Sequence, residues 1–180
     1  MSEFYTGTGD EGKTGILDDK RLLKSDSIIE AIGSTDELNS YLGFVYQKID
    51  DTYIKDILLK IQNDLFVIGA NLASLSNGKI EKATLQEEKL KFVEDSIERL
   101  SKDIPTLKQF VIPGGCEGAA TIHVARSMAR RMERSIVRAG TQYQLDKSLT
   151  SYTNRLSSLF FTIALYLNMK NGIEEKHPTY

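Results

Sequence analysis

The chain has 180 residues and a formal net charge of −2; 41% of its residues are hydrophobic and 27% are charged. These values predict one ordinary globular domain and exclude a general electrostatic attraction to nucleic acid or to anionic lipid. The single cysteine, Cys116, excludes an intrachain disulfide and a metal site built from several cysteines. Because no apolar run reaches the roughly 18 residues of a membrane span and the N-terminus lacks a signal-peptide pattern, we expect a cytoplasmic protein.

The domain organisation follows from periodicity and from the scarcity of helix breakers. Residues 1–27 show no sustained hydrophobic period and are rich in Gly, Thr and Asp, which predicts a loop. Only three prolines occur in the chain, so long stretches can be helical. Within a single domain over 1–180, we predict a helical bundle over 28–173 and a short tail over 174–180. The predicted fold class is all-α, an antiparallel bundle of five helices with short links.

Local signals place the predicted helices. The first begins near Ser34, which has a glutamate three positions later in the spacing of a capping box. A second capping box at Thr84 predicts the start of the third helix. The proline and two glycines at the end of 102–115 predict a stiff loop there. The remaining helices are predicted over 52–76, 84–101, 117–139 and 148–171.

The fourth helix carries the most informative cluster of side chains. At about 100° per residue, Arg126, Arg130 and Glu133 lie within roughly 60° of one another, beside an apolar stripe. Two guanidinium groups one turn apart suit a polyphosphate, and the carboxylate can orient them or hold a hydrated Mg²⁺. The same wheel directs Arg131, Arg134 and Arg138 elsewhere, toward solvent. The alternative interpretation is a solvated helix face with ordinary ion pairs.

A glycine-rich segment lies near the N-terminus. Gly7–Thr14 matches the G-x-x-x-x-G-K-T pattern of a P-loop, but no apolar strand precedes it and no helix start follows it. We therefore reject the P-loop fold and keep a weaker inference, that free backbone N–H groups, hydroxyls and a lysine suit phosphates. The alternative is a disordered tail.

Three further polar positions are ambiguous when taken alone. Asn154 on the fifth helix can bond a ribose hydroxyl or a phosphate, or it can be a plain surface residue. Asp36 in the predicted first turn can complement the helix dipole. His123 lies on a helix flank and is interpreted as structural, because two histidines in the whole chain are too few for a histidine metal site.

Five sequence blocks follow one another along the chain: Thr6–Gly15 followed by Lys24, Gly33–Ser40, Phe110–Gly115, His123–Arg134 and Asn154–Ser157. Together and in this order, they resemble the PduO-type ATP:cob(I)alamin adenosyltransferases. The resemblance covers about residues 4–168.

The resemblance implies a homotrimer of five-helix bundles with active sites between neighbouring subunits. It implies transfer of the 5′-deoxyadenosyl group of ATP to the cobalt of cob(I)alamin, with release of triphosphate. ATP and cobalamin would be substrates and Mg²⁺ would accompany ATP, while a reductase and a B12-dependent acceptor enzyme would be protein partners. Arg126 would be catalytic and would pair with Asp36 of the adjacent subunit, and Phe110 would press on the lower face of the corrin. Arg130 and Glu133 would act in both catalysis and nucleotide binding. The implied ATP-binding residues are Thr6, Gly7, Thr8, Gly9, Thr14, Gly15, Lys24, Arg130, Arg131, Glu133, Arg134 and Asn154.

The chain departs from the family pattern at Gly7, at Ala129 in place of a frequent Cys and at Ser158 in place of a frequent Asp, and two rival functions are possible. Gly7 stands where the family commonly has Lys or Arg, and Lys13 is a candidate to supply the missing charge. A P-loop kinase or ATPase would instead require a parallel β-sheet and would release ADP and phosphate. A non-enzymatic helical bundle that binds ATP would release no triphosphate in the presence of reduced cobalamin.

Overall fold

The computed structural model describes residues 7–16, 20–75 and 85–179. This part of the chain forms five α-helices and one small two-stranded antiparallel sheet, which confirms the predicted all-α bundle. It contains no parallel β-sheet, which contradicts the P-loop alternative. The elements are β1 (Lys13–Gly15), β2 (Arg21–Leu23), α1 (Ser27–Gln47), α2 (Thr52–Leu75), α3 (Glu87–Ser101), α4 (Glu117–Ala139) and α5 (Lys147–Lys170).

Helix α4 lies at the centre of the bundle, where it packs against α1 and α5, while α5 also packs against α3 and α1 against α2. Cross-helix contacts show that α1 and α4 are antiparallel. Near one end the Ser34 and Ser135 hydroxyls are 2.5 Å apart, and near the other Lys48 Nζ is 2.8 Å from Glu117 Oε1. Apolar side chains at helical spacing meet in one continuous core, as the periodicity predicts.

The predicted start of the first helix at Ser34 is wrong. Helix α1 begins seven residues earlier, where the Asp26 side chain accepts a hydrogen bond from Ile28 N at 3.0 Å. Ser34 is buried inside the helix, and its hydroxyl donates to the Glu30 carbonyl at 2.8 Å. The spacing of a capping box is therefore coincidental here, because the apolar face of the helix continues upstream through Ile28 and Ala31.

The other helix bounds agree with the sequence to within a few residues. Helix α4 matches its predicted range, and α5 starts one residue early behind the capping side chain of Asp146. Helix α3 starts at Glu87 rather than at the predicted capping box, and Thr84 lies outside the described residues. The predicted loop over 102–115 is confirmed. It begins with a turn directly after α3 and contains neither a helix nor a strand.

The N-terminal segment, predicted as an ordered or half-ordered loop, contains a short β-hairpin. Strands β1 and β2 pair antiparallel with Thr14 opposite Leu22, and Lys24 N donates to the Gly12 carbonyl at 2.8 Å. Sequence periodicity could not show this hairpin because each strand has only three residues. We call the described part of this segment, 7–16 and 20–26, the N-terminal arm.

A buried polar cluster joins α2, α3 and α5. Asp64 is 1% exposed, and it accepts a hydrogen bond from Tyr152 Oη at 2.8 Å and forms an ion pair with Lys89. Burial, followed by the neighbouring Asp64 charge, raises the pKa of the Tyr152 hydroxyl far above its ordinary value. No helix in the described ranges is long and apolar enough to cross a lipid bilayer.

Candidate functional site

A cavity of about 300 Å³ opens beside the C-terminal half of α4. Arg130, Glu133, Arg134 and Val137 line it from α4, and Asn154 lines it from α5. These four α4 residues are spaced i, i+3, i+4, i+7, so they share one helix face. Arg134 is exposed, as the helical wheel predicts, and it still lines the same cavity as Arg130, because it lies one turn later and only about 40° away. Two guanidinium groups, one carboxylate and one amide converge on this cavity.

Hydrogen bonds across three helices hold the polar wall of the cavity. Asn154 Nδ2 donates to Glu133 Oε1 at 2.7 Å, and Asn154 Oδ1 accepts from Arg155 Nη1 at 3.0 Å. Arg155 Nε in turn donates to Glu94 Oε1 on α3 at 2.9 Å. This chain of bonds sets the direction of the amide and the carboxylate before any ligand arrives.

Arg131 lies outside the cavity. Its guanidinium pairs with Glu37 on α1, and both side chains are about half exposed, at 50% and 49%. Asp36, the neighbour of Glu37, lies on the exposed side of α1. The structure thus separates Arg131 from the other α4 residues expected to bind nucleotide and pairs it with Glu37 of α1.

Arg126 lies one turn before Arg130, near the middle of α4. Its side chain is half-buried, and its Nε atom finds no hydrogen-bond partner among the described residues. One turn earlier, His123 is 4% exposed, and both of its ring nitrogens are also unpaired within the described residues. Burial, and then the Arg126 charge, lower the pKa of His123. Its ring lies 6.1 Å from that of Phe161, which fits the structural role expected of this histidine.

The N-terminal arm brings several expected phosphate-binding residues together. The Lys24 ammonium lies so near Gly9 that a Cβ at Gly9 would be 3.3 Å from Lys24 Nζ. Arg21 ties the arm internally by donating to the Thr8 and Lys13 carbonyls. Gly7 has a φ of +69°, a backbone conformation that is strained for residues with a side chain. Among the other expected residues, Thr14 and Gly15 lie in β1, and Thr6 lies outside the described residues.

The arm joins the bundle at the end where α4 finishes. Asp26, which caps α1, accepts hydrogen bonds from Tyr143 Oη at 3.0 and 3.1 Å. Ser27 donates to Gln142 Oε1 at 3.0 Å. Tyr143 and Gln142 follow α4 directly, so the root of the arm and the arginine-lined cavity lie at the same end of the bundle. Sequence reasoning missed these contacts because their partners are more than 100 positions apart.

Phe110 lies on the loop that precedes α4, at the opposite end of the bundle. Its side chain is 79% exposed, and its carbonyl oxygen is 2.8 Å from His177 Nδ1 of the C-terminal tail. A larger cavity of about 700 Å³ adjoins this region between residues 104–109, the end of α5 and the tail. Along α4 the order is therefore the Phe110 loop, then Arg126, then the arginine-lined cavity.

Comparison with known proteins agrees with this architecture. The cobalamin adenosyltransferase family model matches residues 4–167. A corrinoid adenosyltransferase from Citrobacter freundii is 38% identical over 165 residues, covering 91% of this chain and 94% of that protein. One from Bacillus subtilis is 36% identical over 175 residues, covering 95% and 89%.

Solved structures show the same fold. A single-residue variant of a PduO-type ATP:corrinoid adenosyltransferase from Lactobacillus reuteri, complexed with cobalamin and ATP, superposes with a TM-score of 0.93. Sequence identity is 31%, and the match covers 99% of this chain and 100% of that one. The chain belongs to the cobalamin adenosyltransferase family.

Proposed function

We propose that this enzyme transfers the 5′-deoxyadenosyl group of ATP to the cobalt of cob(I)alamin and releases triphosphate. The observation that carries the proposal is the arginine-lined cavity, whose Glu133–Asn154 hydrogen bond is already formed, in a chain of this family. The corrinoid adenosyltransferase names of the relatives and the cobalamin and ATP bound to the Lactobacillus reuteri structure support the same reaction.

The triphosphate of ATP would bind in the arginine-lined cavity. Arg130 and Arg134 present two guanidinium groups one turn apart, which suits the bidentate recognition of phosphate oxygens. The N-terminal arm, with Lys24 beside Gly9, would close over the nucleotide from the same end of the bundle. Arg131 would contribute its charge from the edge of the site, since its guanidinium is held by Glu37.

The residues present fit a magnesium ion that is bound mainly through the nucleotide. Mg²⁺ in nucleotide sites commonly has one or two carboxylates, phosphate oxygens and waters as ligands. The cavity offers one carboxylate, Glu133, and the described residues contain no cluster of three or more potential metal ligands. Glu133 would therefore hold the ion, which supplies positive charge against the triphosphate.

Phe110 and Arg126 would act on the corrin side of the reaction. An exposed phenyl ring offers no donor atom, so pressing it against the lower face of the corrin would displace the axial base without replacing it. Arg126 lies about 6 Å along the helix axis from Arg130, on the side toward the Phe110 loop. The bond between cobalt and the ribose 5′ carbon would thus form beside Arg126.

The chemical step is a substitution at the 5′ carbon of ATP. The electron pair of Co(I) forms the cobalt–carbon bond, the bond from that carbon to the triphosphate oxygen breaks, and its electron pair leaves on triphosphate. Arg130, Arg134 and Lys24 would stabilise the charge that grows on the leaving group. Arg126 would stabilise it closest to the breaking bond, because it lies one turn nearer to the Phe110 loop.

A homotrimer with shared sites is part of this proposal. Leu59 and Phe66 are 52% and 71% exposed and lie seven residues apart on one side of α2, while Phe44 on α1 is 49% exposed. A contiguous patch of exposed apolar side chains commonly marks a protein interface, and we propose that these residues contribute to one. A neighbouring subunit would bring its own Asp36 to the unpaired Arg126. A stable monomer in a sedimentation experiment would contradict the shared site.

Three further expectations stay predictions from the sequence. They are the reductase partner, the B12-dependent acceptor enzyme and the cytoplasmic location.

The test is a turnover assay under anaerobic, reducing conditions. Purified protein, ATP, Mg²⁺ and cobalamin are mixed, the corrin spectrum is followed, and phosphate products are separated. We expect adenosylcobalamin and triphosphate in equal amounts. Release of ADP and phosphate, or ATP binding with no new cobalt–carbon bond, would overturn the proposal in favour of a nucleotide hydrolase or a nucleotide sensor.

A further inference from the structure

One side chain, Asn168, joins the loop before α4 to the C-terminal tail. It lies near the end of α5 and is 1% exposed. Its Oδ1 accepts a hydrogen bond from Cys116 N at 3.0 Å, and its Nδ2 donates to the Gly114 carbonyl at 3.1 Å and to Glu175 Oε1 at 3.0 Å. Its backbone carbonyl also accepts from Ile173 N at 2.9 Å. Both ends of the carboxamide are thus hydrogen-bonded, and three segments of the chain meet on it.

The loop is shaped to receive this carboxamide. Gly115 has a φ of +111°, a backbone conformation that side chains disfavour. A Cβ at Gly115 would lie 1.9 Å from Asn168 Oδ1, so the carboxamide occupies the space that any side chain at this position would need. The close approach of loop and helix therefore requires both residues.

Phe110 depends on this junction for its position. The Phe110 side chain is mostly exposed, so its direction is set by its backbone rather than by packing. That backbone is held by the tail, since Lys176 O accepts from Ile112 N at 2.7 Å and His177 Nδ1 lies 2.8 Å from Phe110 O. Asn168 in turn fixes both the tail and the end of the Phe110 loop to α5.

We propose that Asn168 is a positioning residue for the corrin reaction, because it locks the Phe110 loop and the C-terminal tail into the arrangement that presents the phenyl ring. This role rests on the proposed function, in which Phe110 displaces the lower axial base of cobalamin. Loss of the lock would let the loop shift, and a misplacement of about 1 Å can slow an enzyme about 100-fold. ATP binding, at the other end of α4, would be unaffected.

The discriminating variant is Asn168→Asp. An aspartate has the same size and still accepts from Cys116 N, but it loses both donations and places a second carboxylate beside Glu175. Gly115→Ala disturbs the same contact from the loop side and serves as a second, independent variant. Lys91→Ala removes an exposed side chain from α3 as the control, and Ile68→Val supplies a modestly destabilised core for comparison.

The assay compares cobalamin with a corrinoid that has no lower base. With cobalamin, both variants should lose about 10- to 100-fold in turnover, and the spectrum of bound Co(II) corrinoid should show less base displacement. With the base-free corrinoid the loss in turnover should be clearly smaller, because the phenyl ring then has only a weakly held water to displace, and the dissociation constant for ATP should stay within about twofold of wild type.

Equal losses with both corrinoids, or no loss with cobalamin, would overturn the role of Asn168, since a general weakening of the fold does not distinguish the two substrates. The two control variants should treat both corrinoids alike. Wild-type protein that adenosylates neither corrinoid would instead overturn the proposed function itself.

Discussion

Removal of the Asn154 amide should weaken ATP binding without unfolding the bundle. In Asn154→Ala, the 2.7 Å hydrogen bond to Glu133 Oε1 is lost, and Glu133 is no longer held at the wall of the cavity. A hydrogen bond to a charged group contributes about 1.5–3 kcal/mol when well formed. Because Asn154 is exposed, we take about 1 kcal/mol, which corresponds to a roughly fivefold rise in the dissociation constant for ATP.

The measurement is calorimetric titration with MgATP alongside a thermal melt followed by circular dichroism. Ser158→Ala is the matched control, an exposed polar residue one turn further along α5 whose side chain lies outside the cavity. The melting temperature of Asn154→Ala should stay within about 4 °C of wild type, since a loss of about 1 kcal/mol shifts the midpoint of a chain of this size by about 2–4 °C. If ATP affinity changed by less than twofold in a folded protein, the Glu133–Asn154 pair would not shape the nucleotide site.

Three further predictions follow from single contacts. Arg126→Ala should lower turnover about 100-fold or more while the helical signal is kept, because it removes a charge beside the breaking bond; activity within a few-fold of wild type in the corrin assay would contradict this role. The lowered pKa of His123 means that the unfolded chain binds more protons than the folded chain below about pH 6.5, so stability should fall as pH drops through that value. His123→Gln should flatten this slope between about pH 7.5 and 5.5 in urea melts, and an unchanged slope would exclude the histidine as its source. Asp64→Ala should destabilise the fold by about 2 kcal/mol, because it leaves the buried Tyr152 hydroxyl without its acceptor and removes the ion-pair partner of the partly buried Lys89; a urea-melt loss below about 0.5 kcal/mol would contradict a stabilising role for this cluster.

Local sequence signals are reliable where the structure depends on nearby residues. The bounds of α4 and the shared face of Arg130 and Glu133 follow from helical geometry alone. The same geometry places Arg134 on that face, where it is exposed to solvent and also lines the cavity. The capping pattern at Ser34 fails, because only burial against Ser135 shows that this serine lies inside a helix.

Contacts between distant segments could not be predicted in this way. The sequence by itself determined the helical periods, the arginine spacing and the order of motifs, since each depends on residues within a few turns of one another. Only the tertiary structure decided that Asn154 orients Glu133 and that Asn168 ties the Phe110 loop to the tail. The hydrogen-bonded partners are 21 positions apart for Asn154 and Glu133 and 54 positions apart for Asn168 and Gly114, and the sequence offers many other polar side chains as possible partners. Helix packing brings these partners together. A hydrogen bond of about 3 Å forms only when the packed elements have the axial position and the rotation that place donor and acceptor side by side.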